Sequence, residues 1–283
     1  NTVRLWNTKS KEFRRPFKGH TGSVIAVAFH PEQKLIASGS HDRTIRLWNA
    51  RTGKTIKTLR GHTNAVRNLA FSPDGSQLAS GSSDKTVRLW AIESDAAHKV
   101  FKGHTDDVTA VRYSPDGKTL GSASADGSVR LWDVASGRTT RRLKGHDGRI
   151  TALSFHPKGA KLVTSGADRS IRLWNLDQGE LIRNISGHTT FIQSVTFSPD
   201  GKTVASGGLD GILRIWNPTT GGQERVLEKH QDEVKSLALS PDGATLASGS
   251  SDETVRLWNI KNGTLERTLK HSGRVHAIAY SPD

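Results

Sequence analysis

The stretch SGSSDETVRLWNI at residues 248–260 occurs in closely similar form elsewhere in the chain. Residues 80–92 read SGSSDKTVRLWAI, and residues 38–50 read SGSHDRTIRLWNA. Each copy carries an Asp, an Arg and a Trp at the same positions. Such recurrence indicates either a repeated chemical site or a repeated structural unit, and the spacing of the copies helps to distinguish the two.

The interval between copies is constant along the 283 residues. The Asp before each TVRLW-like run recurs every 42 residues, and a Trp follows it at a fixed distance. A His also recurs every 42 residues, except for one interval of 41. The Trp residues are Trp6, Trp48, Trp90, Trp132, Trp174, Trp216 and Trp258, and the His residues are His20, His62, His104, His146, His188, His230 and His271. This period predicts a repeat protein with seven units of about 42 residues.

Each period contains four short strand patterns separated by turn patterns. In the second period, AVRNLAF (65–71) leads into Ser-Pro-Asp-Gly, where Pro sets φ and Gly accepts a positive φ. The apolar residues of this first pattern break strict alternation, which predicts a β-bulge. A four-stranded antiparallel unit cannot bury both of its faces alone, so we expect the units to stack around a common axis.

The pattern GH…SPDG…LASGSxD…TVRLW resembles the WD40 family, whose repeats of about 40–45 residues each form one four-stranded blade. The resemblance covers nearly the whole chain, although only Trp132-Asp133 is a true WD dipeptide. It implies an all-β, seven-bladed β-propeller of four-stranded antiparallel blades, in a single domain over residues 1–283. The regular repeats resemble those of prokaryotic members, in which the propeller is often fused to a kinase or a signalling NTPase.

The seventh unit is divided between the two ends of the sequence. The resemblance implies that residues 271–283 supply its first strand and residues 1–18 its third and fourth strands, which closes the ring without a free edge. The ten residues equivalent to 243–252 have no counterpart in this unit. We therefore expect the second strand to come from residues outside this sequence or from another chain. The absence of Met also leads us to expect that the sequence is a segment of a longer protein.

The repeated His and Asp allow a catalytic and a structural interpretation. A His, a Ser or Thr and an Asp recur together, but six catalytic triads would need six oxyanion holes and six substrate pockets. We therefore expect no enzymatic activity. The family resemblance implies instead that Asp accepts a hydrogen bond from His, that His bonds the hydroxyl, and that the hydroxyl bonds the Trp indole. The six sets are His20/Ser38/Asp42/Trp48, His62/Ser80/Asp84/Trp90, His104/Ser122/Asp126/Trp132, His146/Thr164/Asp168/Trp174, His188/Ser206/Asp210/Trp216 and His230/Ser248/Asp252/Trp258.

Functional residues are expected among the positions that vary between units, because the constant residues build the frame. Family geometry places the residues after each repeated His, and those just before each Asp, on the top face of the propeller. Phe191 and Leu209 are apolar there, and exposed apolar residues beside charge mark interfaces. The candidate partner-binding residues are Phe191, Leu209, Arg149, Arg67, Lys235, Arg274 and His41. The alternative is that Phe191 only covers its own blade.

The net charge of +14 permits attraction to nucleic acid or to acidic surfaces. Basic residues concentrate in the fourth-strand patterns at 11–18, 54–60 and 138–144. Charge on an edge strand also prevents pairing with other molecules, and no aromatic residues interleave with these cations to stack on bases. A nucleic-acid or acidic-surface binder with a basic rim is therefore an alternative rather than the main prediction.

Several absences narrow the function further. The chain has no Cys, which excludes disulfides and thiolate metal sites, and the remaining His residues have no metal-ligand spacing. We expect no cofactor, no metal and no membrane span, since no apolar run approaches about 20 residues. We expect a cytoplasmic propeller, monomeric unless another chain supplies the seventh unit's second strand. Its predicted function is a non-enzymatic scaffold for proteins or peptides, and the alternative is a sensor domain that regulates a fused kinase or NTPase.

Overall fold

The computed structural model describes residues 1–8, 16–93, 97–227 and 230–282. Within these residues the chain forms six four-stranded antiparallel sheets and one two-stranded sheet. The strands are β1 (Thr2–Val3), β2 (Phe17–Lys18), β3 (Val24–Phe29), β4 (Leu35–Ser40), β5 (Ile45–Asn49), β6 (Thr55–Leu59), β7 (Val66–Phe71), β8 (Gln77–Ser82), β9 (Val87–Ala91), β10 (Ala97–Phe101), β11 (Val108–Tyr113), β12 (Thr119–Ser124), β13 (Ser128–Asp133), β14 (Thr139–Lys144), β15 (Ile150–Phe155), β16 (Lys161–Gly166), β17 (Ile171–Asn175), β18 (Glu180–Ile185), β19 (Ile192–Phe197), β20 (Val204–Gly208), β21 (Leu213–Trp216), β22 (Gln223–Leu227), β23 (Val234–Leu239), β24 (Thr245–Ser250), β25 (Thr254–Asn259) and β26 (Leu265–Lys270).

The prediction of seven blades is wrong, because the structure is a propeller with six four-stranded blades. The blades run from β3–β6 (first) to β23–β26 (sixth), each a meander in chain order. At the N-terminal end only β1 and β2 pair with each other, and residues 271–282 contain no assigned strand. Residues 1–283 contain no counterpart of the second strand in this unit, and a strand needs a hydrogen-bonded neighbour to form a ladder.

The first strand of every blade contains the predicted bulge. In the second blade, Val66 pairs with Ser82, but the next pair is Asn68 with Gly81, so one extra residue lies in β7. The same register shift occurs in β3, β11, β15, β19 and β23. The break in apolar alternation that the sequence shows is therefore a local change of twist within a continuous strand.

The hydrophobic core lies between successive blades rather than within one sheet. One cluster joins Ile45 and Leu59 of the first blade to Val66, Leu69 and Trp90 of the second blade. The central β-strands are buried almost throughout, and the first strands of neighbouring blades contact one another around the axis. Because full burial of one large apolar side chain contributes about 1.5–3 kcal/mol, each blade depends on its neighbours for much of its stability.

A tight turn joins the second and third strands of each blade. In the second blade Lys85 has a φ of 70°, and its N–H donates to the carbonyl of Ser82 at 3.1 Å. Hairpins commonly place a residue with a left-handed backbone conformation after a type I turn, and Gly adopts that conformation with the least strain. The equivalent residues are Arg43, Gly127, Arg169, Gly211 and Glu253, all with positive φ.

Candidate functional site

Five of the six predicted sets form the same chain of hydrogen bonds. In the second blade, Asp84 Oδ2 lies 2.7 Å from His62 Nδ1, and His62 Nε2 lies 2.7 Å from Ser80 Oγ. The indole Nε1 of Trp90 donates to the same Ser80 oxygen at 2.8 Å. Because a carboxylate only accepts, His62 carries its proton on Nδ1, and Ser80 donates to Nε2 while accepting from Trp90.

The distances are nearly constant across these sets. His Nδ1 lies 2.7–2.9 Å from Asp Oδ2 in the sets of His20, His62, His104, His146 and His230. The central hydroxyls are fully buried, with no exposed surface at Ser38, Ser80, Ser122, Thr164, Ser206 and Ser248. A hydroxyl that is buried and already bonded on both sides is not accessible to a substrate, which argues against the triad interpretation.

Burial and hydrogen bonding determine the charges in these networks. Burial alone would raise the pKa of Asp42, but hydrogen bonds from Thr44 and His20 outweigh it and hold that pKa far below its usual range. Burial lowers the pKa of His20 more than the neighbouring Asp42 raises it. At neutral pH the pair therefore consists of a carboxylate and a neutral imidazole, as the Nδ1–H assignment requires.

The fifth blade departs from this arrangement. Its His188 Nδ1 lies 3.9 Å from Asp210 Oδ2, too far for a hydrogen bond. The buried Arg214 lies between them, with Nη1 at 2.8 Å from His188 Nδ1 and 3.0 Å from Asp210 Oδ2. Since a guanidinium only donates, His188 accepts at Nδ1 and carries its proton on Nε2, which lies 2.7 Å from Ser206 Oγ. Burial, and then the charge of Arg214, lower the pKa of His188 to about 4.

One substitution in the repeat occurs in this blade and in none of the other five. In the second blade Thr86 Oγ1 donates to Asp84 Oδ1 at 2.6 Å, whereas Ile212 occupies the equivalent position in the fifth blade. Gly208, like Gly166 of the fourth blade, lacks the Ser hydroxyl that accepts the Asp N–H in the other four blades, and Asp210 N–H donates to Thr190 Oγ1 at 3.1 Å. The fourth blade keeps its bond between His146 and Asp168, so the Gly alone does not cause the departure. Ile212 is visible in the sequence, but its effect on Arg214 was not predicted.

The predicted apolar pair lies in this same blade. Phe191 is 49% exposed and Leu209 is 38% exposed. The two residues are adjacent, because the Leu209 N–H donates to the Phe191 carbonyl at 3.0 Å. The same carbonyl oxygen fills the space that a side chain at position 208 would need, so Gly208 allows the loop to approach closely. The fifth blade therefore combines an unusual polar network with an exposed apolar pair.

Two of the predicted cations converge on one carboxylate. Arg67 Nη2 lies 3.0 Å from Asp107 Oδ2, and its Nε donates to Ser83 Oγ at 2.7 Å. Arg149 Nη1 lies 3.9 Å from the same Asp107 oxygen. Asp107 was not among the predicted site residues, although its position three residues after a repeated His places it on the top face. It links the second, third and fourth blades across their loops.

The remaining predicted cations lie near the junction of the sixth and first blades. Lys235 Nζ lies 2.5 Å from Glu233 Oε1. Burial lowers the pKa of His276, and the basic side chains of Lys235, His41 and Arg274 lower it further. The candidate surface thus comprises three groups, namely the apolar pair, the two Arg on Asp107, and the cations around His276.

The cations of the fourth strands have a structural use. In the fourth blade Arg183 Nη2 donates to the Thr219 carbonyl of the fifth blade at 3.0 Å. In the fifth blade Arg225 donates to the carbonyls of Lys261 and Asn262 at 3.1 and 2.9 Å. The residues with this contact recur every 42 positions, at Lys57, Lys99, Arg141, Arg183, Arg225 and Arg267. Part of the basic rim therefore ties neighbouring blades together; positions 11–15 of the first basic run lie outside the described residues.

Comparison with known families agrees with this architecture. Residues 45–218, more than half of the chain, match the family described as the WDR3 first beta-propeller domain. Residues 11–49 and 221–259 match the family described as WD domain, G-beta repeat. The chain therefore belongs to the WD40-repeat β-propeller proteins. Members of this class are generally non-enzymatic scaffolds for protein interactions.

A similarity to one curated protein is much more local. A segment of 42 residues is 43% identical to the U5 small nuclear ribonucleoprotein 40 kDa protein of Dictyostelium discoideum. It covers 15% of this chain and 12% of that relative, which corresponds to a single repeat. This relative is eukaryotic, and the matches do not support the prediction of a prokaryotic type of repeat.

Two further findings concern the described residues only. They include no cluster of three or more His, Asp or Glu side chains placed to hold a metal ion. Nor do they include a helix with the length and apolar character needed to cross a membrane.

Proposed function

We propose that this propeller is a non-enzymatic platform that binds a protein or peptide through its top face. The observation that carries the proposal is the exposed pair Phe191 and Leu209, on the blade whose polar network differs from the others. Membership in the WD40 class supports a scaffold role in general. The apolar pair adds a specific location to it.

The chemistry of the surrounding residues suggests the character of the partner. Aromatic and Arg side chains are enriched among the residues that dominate binding energy at interfaces. Arg67 and Arg149 are both held near Asp107, so less side-chain entropy is lost when they bind. We therefore propose a peptide segment with an apolar anchor for Phe191 and Leu209 and acidic residues for Arg67 and Arg149.

Quantitative affinity capture tests this proposal. The intact chain is immobilised and exposed to an extract of its source organism, and bound proteins are compared between the wild type and the double variant Phe191→Ala, Leu209→Ser. A matched control is Ile56→Ala, Ile182→Ser, which removes two apolar side chains that are 57% and 42% exposed on fourth strands. We expect the top-face variant to lose partners that the control retains. Equal capture by the two variants, with unchanged melting temperatures, would contradict the proposal.

A further inference from the structure

A cavity of about 320 Å³ lies at the face of the propeller opposite to Phe191 and Leu209. Its lining comes mostly from the second, third and fourth blades, where β7, β11 and β15 end and the following turns begin. Phe191 directly precedes β19, so the apolar pair lies at the opposite ends of the first strands. The cavity is therefore separate from the top face, and the proposed function does not use it.

Among the described residues that line this cavity, Arg112 of β11 is the one with a charge. Because the other five blades form the same four-stranded sheet without a cation at the equivalent position of the first strand, the fold does not require Arg there. A cation that the architecture does not need is a candidate for ligand binding. The equivalent residues are Ala28, Ala70, Ser154, Thr196 and Ala238.

The guanidinium of Arg112 is held on one side only. Its Nη1 lies 2.5 Å from Asn68 Oδ1 and 2.8 Å from the Val111 carbonyl oxygen. Asn68 Oδ1 also accepts the Val111 N–H at 3.1 Å, which fixes the amide that orients the guanidinium. Within the described part of the chain, Nε and Nη2 have no hydrogen-bond partner, and no carboxylate pairs with this cation. These two nitrogens can donate two parallel hydrogen bonds to a carboxylate.

The charge of Arg112 is poorly hydrated. Its side chain keeps access to solvent, yet the first strands of the adjacent blades flank it, and this desolvation lowers its pKa. The group still carries its proton at neutral pH, because the ordinary pKa of Arg is above about 12. The turn residues Asp74 and Asp116 do not line the cavity, and they accept the hydroxyls of Ser72 and Ser114 at 2.5 and 2.6 Å. The cavity therefore presents a positive charge to a molecule that enters it.

Aromatic and proline side chains form the walls around this cation. Phe71, Tyr113 and Phe155 are the last residues of β7, β11 and β15, and Pro73 and Pro115 lie in the turns that follow. Small-molecule sites combine such apolar walls with a few polar groups that fix the ligand, in volumes of about 300–1,000 Å³. This cavity is at the small end of that range, which suits a compact ligand.

We infer that the cavity binds a small organic carboxylate. The carboxylate accepts hydrogen bonds from Nε and Nη2 of Arg112, and the apolar part of the ligand packs against Phe71, Tyr113 and Phe155. Charge complementarity selects an anion, and the apolar walls select an anion with a hydrocarbon group over free phosphate. The limited volume selects a free small molecule over the acidic end of a polypeptide.

The test compares 3-phenylpropionate with its neutral amide, 3-phenylpropionamide, in NMR titrations of the intact chain. The carboxylate should bind saturably, with a Kd on the order of 1 mM or below. The amide should bind at least about tenfold more weakly, because it has no charge to pair with Arg112. Equal affinities for the acid and the amide would overturn the inference, as would the absence of saturable binding.

Two further probes test the class and the source of the ligand. Inorganic phosphate should bind at least about tenfold more weakly than 3-phenylpropionate, because it has no apolar group for the aromatic walls. Phosphate that binds as tightly would overturn the carboxylate assignment. N-acetylglycyl-phenylalanine carries the same phenyl and carboxylate groups at a peptide C terminus, and tighter binding of this peptide would assign the cavity to a polypeptide and overturn the proposed source.

A substitution of Arg112 tests its role. Arg112→Ala places in β11 the residue that three other blades have at this position, so its melting temperature should be close to that of the wild type. The variant should bind 3-phenylpropionate at least about tenfold more weakly and lose the preference for the acid over the amide. Arg138→Ala, which removes an exposed cation of the same blade, should retain both. A preference for the acid that survives Arg112→Ala would contradict the site.

Amide spectra of the wild type locate the ligand without a substitution. Addition of 3-phenylpropionate should shift the amide signals of residues 70–72 and 112–114 and leave those of Phe191 and Leu209 unchanged. These shifts decide the location even where a variant loses stability. Shifts confined to Phe191 and Leu209 would place the ligand on the top face and overturn the inference.

Discussion

At the scale of single residues, the position of one proton separates the fifth blade from the other blades. His62 donates through Nδ1 to Asp84, whereas His188 accepts at Nδ1 from Arg214. The sequence shows the same four residue types in both sets, so it predicts the same network for both. It does not show directly that Ile212 deprives Asp210 of the Thr or Ser hydroxyl that donates to the Asp carboxylate in the other five blades. The exception arises from residues outside the four that define the set.

The tautomers provide a direct prediction. Long-range ¹H–¹⁵N correlation spectra at neutral pH should show His188 protonated at Nε2, and His20, His62, His104 and His230 protonated at Nδ1. The reason is that Arg214 donates to Nδ1 of His188, whereas an Asp carboxylate accepts from Nδ1 of each of the other four His residues. A His188 spectrum of the same type as that of His62 would contradict the placement of Arg214.

The lowered pKa of His188 predicts a change of stability with pH. Its pKa is about 4 in the folded chain against 6.5 for the ordinary side chain, so the unfolded state binds more protons in this interval. The contribution of this lowered pKa to the free energy of unfolding is fully present above about pH 6.5 and declines as the pH falls toward 4. Its size is on the order of 3 kcal/mol. Between pH 7 and pH 4.5, urea unfolding should therefore show a smaller loss of unfolding free energy in His188→Gln than in the wild type. Equal losses would contradict the lowered pKa of His188.

At the scale of elements, each blade is held by its turns and by contacts to the next blade. The strands, their order and the bulge of the first strand could be predicted, because they depend on local alternation and turn composition. The cations of the fourth strands could also have been found, since Lys57, Lys99 and Arg141 recur at the same period. Their acceptors could not, because backbone carbonyls carry no side-chain signal and lie 35–37 residues ahead in the chain.

The left-handed residue of the turn predicts a stabilising substitution. Lys85 has a φ of 70°, where a side chain costs about 1–2 kcal/mol and Gly costs little. After the greater freedom of Gly in the unfolded chain is subtracted, Lys85→Gly should stabilise the protein by about 0.5–1 kcal/mol. The exposed Lys102, whose backbone is not left-handed, is the control, and Lys102→Gly should destabilise the protein. Denaturant unfolding measures both, and a destabilised Lys85→Gly variant would contradict the turn geometry.

The contacts between blades predict a loss of stability. Arg225→Ala removes two hydrogen bonds to carbonyls of the sixth blade, and because the site is exposed we expect a loss of about 1–2 kcal/mol. Lys144→Ala at the end of β14 removes an exposed cation and should change the free energy of unfolding by less than about 0.5 kcal/mol. Equal effects in urea unfolding would show that the carbonyl contacts do not stabilise the fold.

At the scale of the whole molecule, the repeat predicted the propeller but not the number of its blades. Six units contain all four strands in one continuous segment, and each closes on its own local pairing. The remaining residues lie at opposite ends of the chain, so their arrangement depends on non-local pairing that a period cannot establish. Trp6 keeps the spacing of the repeat and His271 departs from it by one residue, yet Trp6 lies near a two-stranded sheet and His271 in a segment without a strand. The number of repeats in the sequence therefore overestimated the number of four-stranded blades by one.

Hydrogen exchange of the intact chain, measured by mass spectrometry, tests the six-bladed architecture most directly. Amides of the second and third strands in all six blades should be strongly protected, because both sides of each strand are paired. Amides of residues 274–280 as a group should exchange faster than those of β23, which has the equivalent place in the sixth blade. Protection of residues 274–280 equal to that of β23 would contradict the account.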